Sequence, residues 1–224
     1  MLTVLEGLDG AGKSTQVRKL REYLEGKGPL EYIHFPRYDA PVYGELISRF
    51  LRGDFGDNDA VHPQLVALIY AEDRHGAVSQ IRRSLQAGKN VLFDRYVYSN
   101  IAYQCAKLKG PSEIERLRKW IVETEFGDFG EPRPDLNIFL DVPLSFVENN
   151  LTHQREGGDR DYLHGGQDIH EASIAFQTRV RDIYLMQAQK DPDFKVVDCS
   201  DAQGRMLPED EIFAKIKALV DERF

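Results

Sequence analysis

A glycine-rich segment near the start of the chain has the composition of a phosphate-binding loop. It reads Gly7-Leu8-Asp9-Gly10-Ala11-Gly12-Lys13-Ser14-Thr15 and fits the pattern G-x-x-x-x-G-K-[ST]. The glycines let backbone N–H groups converge on phosphate oxygens, and a following helix would add partial positive charge there. Lys13 would reach the β- and γ-phosphates, and the Ser14 hydroxyl would ligate Mg²⁺. The segment predicts binding of a nucleoside triphosphate and leaves open what is done with it.

The residue pair Asp94-Arg95 directly follows an apolar run. A hydrolytic ATPase usually has Glu after such an Asp, and a GTPase usually reads guanine with an N-K-x-D segment, which this sequence lacks. An arginine beside the γ-phosphate suits transfer between two anions, because it neutralises charge on both. The pair therefore favours a kinase of small metabolites over a hydrolytic ATPase or a switch GTPase.

Arg37 stands in the segment His34-Phe35-Pro36-Arg37-Tyr38, where a kinase acting on a hydroxyl group would need a carboxylate base. A phosphate acceptor needs no base, since its second pKa is about 6 and it is largely dianionic at pH 7. It needs a cation, and a bidentate guanidinium supplies one. The residue choice favours a monophosphate acceptor, with an ordinary surface charge as the alternative interpretation of Arg37.

Five short apolar runs predict strands that could bring these residues together. They are Leu2–Glu6, Leu30–Phe35, Asn90–Asp94, Leu136–Asp141 and Lys195–Asp198. They lack polar alternation, which is typical of strands covered on both faces. Segments with helical periodicity lie between them, one of them marked by Ile169, Phe176, Val180, Ile183 and Tyr184. We therefore expect an α/β fold with a parallel sheet and a ligand beyond the carboxyl ends of its strands.

Length and composition narrow the class of protein further. The chain has 224 residues, 42% of them hydrophobic and 29% charged, which predicts one domain over residues 1–224 with a sizeable core. The net charge of −8 argues against a nucleic-acid binder. Two cysteines, Cys105 and Cys199, indicate reduced thiols and not a disulfide framework. Neither a membrane span nor a signal peptide is recognisable, so the cytoplasm is the expected location.

These motifs, taken together, resemble the thymidylate kinases of the bacterial nucleoside monophosphate kinase type. The matching segments are Gly7–Thr15, Phe35-Pro36-Arg37, Asp73-Arg74, Asp94-Arg95-Tyr96, Ser99-Asn100-Ile101-Ala102-Tyr103 and Phe176-Gln177-Thr178-Arg179-Val180-Arg181. They occur in family order across nearly the whole chain. The phosphate loop alone is not specific to the family, whereas the combination of the other motifs is.

The resemblance implies the reaction ATP + dTMP → ADP + dTDP with Mg²⁺. It also implies a P-loop NTPase-type sheet of five parallel strands with helices on both faces, a short mobile lid and a homodimer. Two alternatives remain at this stage. One is a related deoxynucleoside kinase or another nucleoside monophosphate kinase, and the other is a nucleotide-binding switch without catalysis.

The resemblance also implies roles for residues that would hold the acceptor. Arg37 and Arg95 would hold the dTMP phosphate, and Tyr70 would stack on thymine. Arg74 would bond thymine O4, and Asn100 would bond the N3 edge. From the sequence alone, Tyr70 could equally belong to a helix core, and Arg74 could form a surface ion pair with a neighbouring carboxylate, Glu72 or Asp73.

The remaining implied roles concern the sugar and the metal. Tyr103 would stand close to the sugar C2′ and exclude a ribose hydroxyl. Asp9 would contact the sugar or phosphate of the acceptor, or help to hold the metal with Ser14. Asp94 would orient the metal and its waters, while Lys13 and Arg95 would act in catalysis.

Residues at about 155–168 are expected to form the lid, because the segment contains four glycines and several charges. Family members carry an extra basic residue either in the phosphate loop or in the lid. Gly10 occupies the loop position here, so Arg155 or Arg160 would be the catalytic lid residue. An ordinary surface loop with solvated charges is the alternative.

The chain departs from the family pattern on both sides of the lid. The stretch 148–154 lacks the arginine that usually packs on adenine, unless Arg155 takes that place. His170 stands where the family often has an aromatic residue, and a surface position is its simplest interpretation. Asp168 and Glu171 could reach the metal or dTMP, or could simply be carboxylates at a helix N-terminus.

Overall fold

A five-stranded parallel sheet forms the centre of the molecule. The computed structural model describes residues 1–152, 163, 168–171 and 173–224. The strands are β1 (Leu2–Gly7), β2 (Leu30–His34), β3 (Asn90–Asp94), β4 (Leu136–Asp141) and β5 (Phe194–Asp198). They pair in the order β2-β3-β1-β4-β5, and every pairing is parallel. The α/β fold with five parallel strands is confirmed.

Three of the five strands differ from the predicted ones, each by one residue at one end. Phe35 was expected in β2, and its N–H still bonds the carbonyl of Asp94 at 3.0 Å. The next residue, Pro36, has no N–H to donate, so the ladder stops at His34. β1 runs on to Gly7, and β5 begins already at Phe194.

Helices cover both faces of this sheet. Their bounds are α1 (Lys13–Glu25), α2 (Tyr43–Leu51), α3 (Pro63–His75), α4 (Val78–Gln86), α5 (Val97–Cys105), α6 (Pro111–Val122), α7 (Leu144–Thr152), α8 (Ile174–Ala188) and α9 (Glu209–Asp221). A π-helical turn, Glu123–Asp128, continues α6. α1 packs with α9, whereas α5 packs with α3, α6 and α8. Within the part of the chain that the structure describes, no helix combines the length and apolar character needed to cross a membrane.

The helix predicted from Ile169, Phe176, Val180, Ile183 and Tyr184 does not include the first of these residues. α8 begins at Ile174, because the Ser173 side chain accepts from the N–H of Phe176 at 3.3 Å and caps the helix there. Ile169 therefore lies before the helix. It packs instead against a small second core that includes Phe50 and Leu51.

The sheet order brings the sequence motifs to one edge. β1 lies between β3 and β4, and β3 lies between β1 and β2. The segments that follow β1, β3 and β2 therefore meet at the carboxyl ends of neighbouring strands. They are the phosphate loop, Asp94-Arg95 and the turn containing Arg37. Both cysteines are buried free thiols.

Candidate active site

The phosphate loop turns sharply between β1 and α1. Gly10 and Gly12 have φ angles of 76° and 73°, in the left-handed region that glycine adopts without strain. α1 begins at Lys13, so its N-terminus opens onto the loop, which is the usual arrangement for binding phosphate. Ser14 is exposed in the first turn. The local geometry matches the phosphate cradle that the sequence predicts.

Lys13 and Asp94 form a buried ion pair between the loop and β3. The Lys13 ammonium contacts the carboxylate of Asp94, and little of either side chain is exposed. Burial lowers the pKa of Lys13 although Asp94 opposes the shift, and the nearby Arg95 adds to the lowering. Burial alone would raise the pKa of Asp94, but Lys13 and other nearby positive groups bring it below its ordinary value. Asp94 is therefore a carboxylate at neutral pH.

The donor set around the loop fits Mg²⁺ shared with a nucleotide. Asp94, Asp9 and the exposed Ser14 offer hard oxygen ligands near the loop. Among the residues that the structure describes, no three His, Cys, Asp or Glu side chains cluster as a metal cage. Mg²⁺ usually binds through one or two carboxylates together with substrate phosphates, so such a cage is not required.

Arg95 joins the phosphate loop to the neighbouring cavity. Its φ of 67° turns the backbone sharply after β3. Its Nη1 donates to the carbonyl oxygen of Gly7 at 2.8 Å, and its Nη2 donates to Oδ1 of Asp9 at 2.7 Å. Burial alone would raise the pKa of Asp9, but Arg95, aided by a hydrogen bond from Tyr103, lowers it. The guanidinium is thus held by two groups of the loop itself.

Glu6, the single charged residue in β1, fixes the start of α5. It is fully buried, and its Oε1 accepts from the N–H groups of Tyr96 at 3.0 Å and Ser99 at 3.2 Å. These are donors at the helix N-terminus, so Glu6 acts as a cap supplied by a distant strand. α5 carries Asn100 and Tyr103, three residues apart on one face. Sequence analysis did not assign this role. The one sign of it in the sequence is an acidic residue within a strand that is predicted to be buried.

A partly open cavity lies beside the phosphate loop, with about 520 Å³ of empty space that includes its opening to solvent. It contains most of the side chains expected to bind the acceptor, together with aromatic groups and His170. Its walls are formed by Asp9, Phe35, Pro36, Tyr38, Leu51, Tyr70, Arg74, Arg95, Ser99, Asn100, Tyr103, Gln104, Asp168 and His170. Tyr70 therefore lies on the cavity wall, although it also packs against the second core.

Arg37 was expected to bind the phosphate acceptor, but it does not line this cavity. Its neighbours Pro36 and Tyr38 do. The Arg37 Nε donates to Oδ1 of the buried Asp73 at 3.0 Å, and its backbone N–H donates to Oδ2 at 2.9 Å. About a quarter of the Arg37 side chain is exposed. The arginine is thus held at the rim, with its charge partly offset by Asp73.

Arg74 and Asn100 meet at a buried carboxylate at the far end of the cavity. Arg74 does not form the surface ion pair considered above, because its side chain is 2% exposed. It makes a bidentate pair with Glu125 through Nε at 2.5 Å and Nη2 at 2.9 Å. Asn100 donates to the same carboxylate at 2.8 Å and to the carbonyl of Ala67 at 2.9 Å. Nothing in the local sequence around Arg74 pointed to Glu125.

His170 is buried in the cavity wall and not on the surface. The centroids of the His170 and Tyr103 rings are 5.0 Å apart. Burial and the positive charge of Lys107 lower its pKa to about 3, so the ring is neutral at physiological pH. Gln177 fixes this region by donating to the carbonyl of His170 at 2.9 Å and to Asp9 at 3.1 Å. Gln177 belongs to a motif that carries the family resemblance, but sequence analysis assigned no role to it.

The glycine at position 10 is held tightly by α7. The Asn150 side chain donates to its carbonyl oxygen at 2.7 Å, and a Cβ added there would lie 3.3 Å from the Asn150 Cβ. A basic side chain at Gly10 would therefore be crowded as well as strained by the positive φ. The expected lid residues Arg155 and Arg160 lie outside the described residues.

Comparisons with known proteins agree with one another. The family model described as thymidylate kinase matches residues 5–206. A probable thymidylate kinase of Thermococcus kodakarensis is 31% identical over 99% of this chain and 100% of its own length. The thymidylate kinase of Mycobacterium tuberculosis strain CDC 1551 is 33% identical over 82% of this chain and 84% of its own. A solved thymidylate kinase structure from Candida albicans superposes with a TM-score of 0.72 at 26% identity, covering 99% of this chain and 91% of that one.

Proposed function

This chain belongs to the thymidylate kinase family, and we propose that the cavity beside its phosphate loop is where it binds dTMP. Its reaction is the ATP-dependent phosphorylation of dTMP to dTDP. The observation that carries the placement is Arg95, which lines the cavity and also donates to Gly7 of the loop at 2.8 Å. One guanidinium can therefore contact the acceptor phosphate while it is anchored beside the donor site.

The far end of the cavity is complementary to thymine. Arg74 offers N–H groups to the O4 acceptor of the base. The oxygen of the Asn100 amide has no partner among the described residues and can accept from the N3–H. Tyr70, one turn before Arg74 on α3, supplies an aromatic face for stacking.

The sugar and phosphate would lie towards the loop. The Tyr103 hydroxyl donates to Oδ2 of Asp9 at 2.8 Å, which fixes its ring where a deoxyribose would pass. The phosphate would then reach Arg95 and, at the rim, Arg37. A ribose hydroxyl would meet the Tyr103 ring, which accounts for a preference for deoxynucleotides.

Catalysis needs positioning and charge stabilisation more than covalent chemistry. The dianionic acceptor phosphate attacks the γ-phosphorus of ATP in line. Lys13 would leave Asp94 for the β- and γ-phosphates, and Arg95 would neutralise charge on the transferring group. Ser14, Asp94 and Asp9 are the residues that would hold Mg²⁺, which offsets phosphate charge when bound.

Further features of the proposal follow from the family. The enzyme is a single domain whose lid, at about 155–168, supplies Arg155 or Arg160 when it closes. It acts in the cytoplasm on ATP and dTMP, without a membrane or nucleic-acid partner, and forms a homodimer. Light scattering should then give a mass twice that of the 25.6-kDa chain.

An acceptor panel tests the proposed site. Release of ADP should be fastest with dTMP among nucleoside monophosphates. Replacement Asn100→Ala should raise the KM for dTMP about tenfold and leave the KM for ATP unchanged, because it removes one base contact. Gln86→Ala, which removes an exposed amide from α4, is the control. An unchanged KM for dTMP in Asn100→Ala would place the base elsewhere, and turnover of thymidine without dTMP would favour a deoxynucleoside kinase.

A further inference from the structure

Glu125 links the two residues that face the base. It lies on the π-helical turn after α6 and is fully buried. It accepts from Arg74 through Nε and Nη2 and from the Asn100 amide at 2.8 Å. Glu125 does not line the cavity, so any effect on the base must act through these two side chains.

The chemistry of its neighbours fixes which way the Asn100 amide points. One end of that amide lies 2.9 Å from the carbonyl oxygen of Ala67 and 2.8 Å from the Glu125 carboxylate. Both neighbours can only accept hydrogen bonds, so the end between them must be the NH₂ group. The other end, Oδ1, is buried without a partner in the described part of the chain. Asn100 therefore presents an acceptor to the base.

A second carboxyl group, Glu131, lies in the same buried cluster. One of its oxygens is 3.8 Å from the Nε of Arg74. Burial and the neighbouring Glu125 raise the pKa of Glu131 to about 10, so this group is a neutral acid at physiological pH. Both oxygens of Glu125 accept hydrogen bonds from N–H donors, Oε2 from Arg74 and Oε1 from Arg74 and Asn100, so Glu125 is the acceptor of the cluster.

We propose that Glu125 is a positioning residue for base selection, acting through Asn100 and Arg74. The inference rests on the proposed binding of dTMP in this cavity. By holding the Asn100 NH₂ group and two N–H groups of Arg74, it leaves the base an acceptor from Asn100 and a donor, Nη1, from Arg74. Thymine offers the complementary N3–H donor and O4 acceptor. Cytosine offers an N3 acceptor and an amino group, so each of its two edge contacts would pair like with like.

Replacement Glu125→Gln tests this role with a nearly isosteric change. The introduced amide no longer requires a donor from Asn100, so only the carbonyl of Ala67 still opposes a reversal of the Asn100 amide that would offer its NH₂ group to cytosine N3. The ratio of kcat/KM for dCMP to that for dTMP should rise about tenfold, the effect of one hydrogen bond. Glu131→Gln makes the same change in the same cluster but replaces an already neutral acid, so it should leave the ratio unchanged. Equal ratios in Glu125→Gln and the wild type, or an equal rise in both variants, would overturn the inference.

A measurement on the wild-type protein keeps the test independent of folding of the variants. Both Nδ2 protons of Asn100 should exchange slowly with solvent in NMR spectra of the free enzyme, because Ala67 and Glu125 hold them. Rapid exchange of either proton would contradict the fixed orientation. Asn100→Ala separates this inference from the proposed site: a raised KM for dTMP there with an unchanged ratio in Glu125→Gln would refute only the role of Glu125.

Discussion

The guanidinium of Arg95 and the carboxylate of Asp9 lie 2.7 Å apart where the phosphate loop meets the cavity. The same guanidinium also donates to Gly7, so two of its contacts are to the loop and none depends on an exposed side chain. Because Asp9 also accepts from Tyr103 and Gln177, the position of Arg95 is coupled to both α5 and α8. This arrangement places a fixed positive charge between the phosphate loop and the cavity, where ATP and dTMP are proposed to bind.

The first prediction concerns Arg95→Ala. Loss of a preorganised charge at the transferring group should lower the single-turnover rate by about 100-fold or more. The affinity for ATP, measured by equilibrium binding, should change little, because Lys13 and the loop remain. Arg205→Ala, which removes an arginine paired with Asp201 on the surface, should behave as the wild type. A wild-type rate in Arg95→Ala would remove Arg95 from the mechanism.

The second prediction concerns sugar selection by Tyr103. Replacement Tyr103→Ala should raise the ratio of UMP to dTMP turnover about tenfold, because it removes the ring that is proposed to exclude a ribose hydroxyl. Tyr103→Phe keeps the ring and should retain most of the discrimination, although it loses the bond to Asp9. Tyr98 lies on the same helix as Tyr103, and its hydroxyl donates to Asp191. Tyr98→Phe, which removes that hydroxyl, serves as the control. A constant ratio in Tyr103→Ala would rule out steric exclusion by this ring.

Short-range patterns predicted the sheet and the phosphate loop well, because a buried strand and a Gly-Lys-Ser turn are each encoded in a few adjacent residues. The resemblance predicted most of the polar residues that gather at the cavity, although Arg37 does not line it. Neither could identify what holds them, since those contacts are long-range. Glu125 is 51 residues from Arg74, and Glu6 caps a helix that begins 91 residues later. His170 was misplaced on the surface for the same reason, because its burial depends on aromatic neighbours from other elements, among them Tyr103.

The third prediction concerns the tight fit at Gly10. Replacement Gly10→Ala should raise the KM for ATP and lower the melting temperature, because the new Cβ would meet Asn150 at 3.3 Å and the φ is 76°. Gly204→Ala provides a matched control, with a φ of 73° and nothing within 4 Å of the added Cβ. It has the same backbone strain, on the order of 1 kcal/mol, without the crowding. If the two variants lose equal stability and both keep the wild-type KM for ATP, the contact with α7 has no role in shaping the loop.

The fourth prediction concerns Lys107, whose ammonium is buried over the ring of Phe50 at 4.6 Å from its centroid. Burial lowers its pKa from 10.5 to about 7, so between these values the unfolded chain binds the proton more readily than the folded one. The free energy of unfolding should therefore rise with pH over this range, by at most about 1.4 kcal/mol per pH unit from this group. Lys107→Met should raise the melting temperature at pH 7, and its advantage should shrink towards pH 10. Lys109→Met, at an exposed position in the same loop, should show neither effect. Calorimetry across this range that gave parallel curves for wild type and Lys107→Met would show that the buried amine keeps its ordinary pKa.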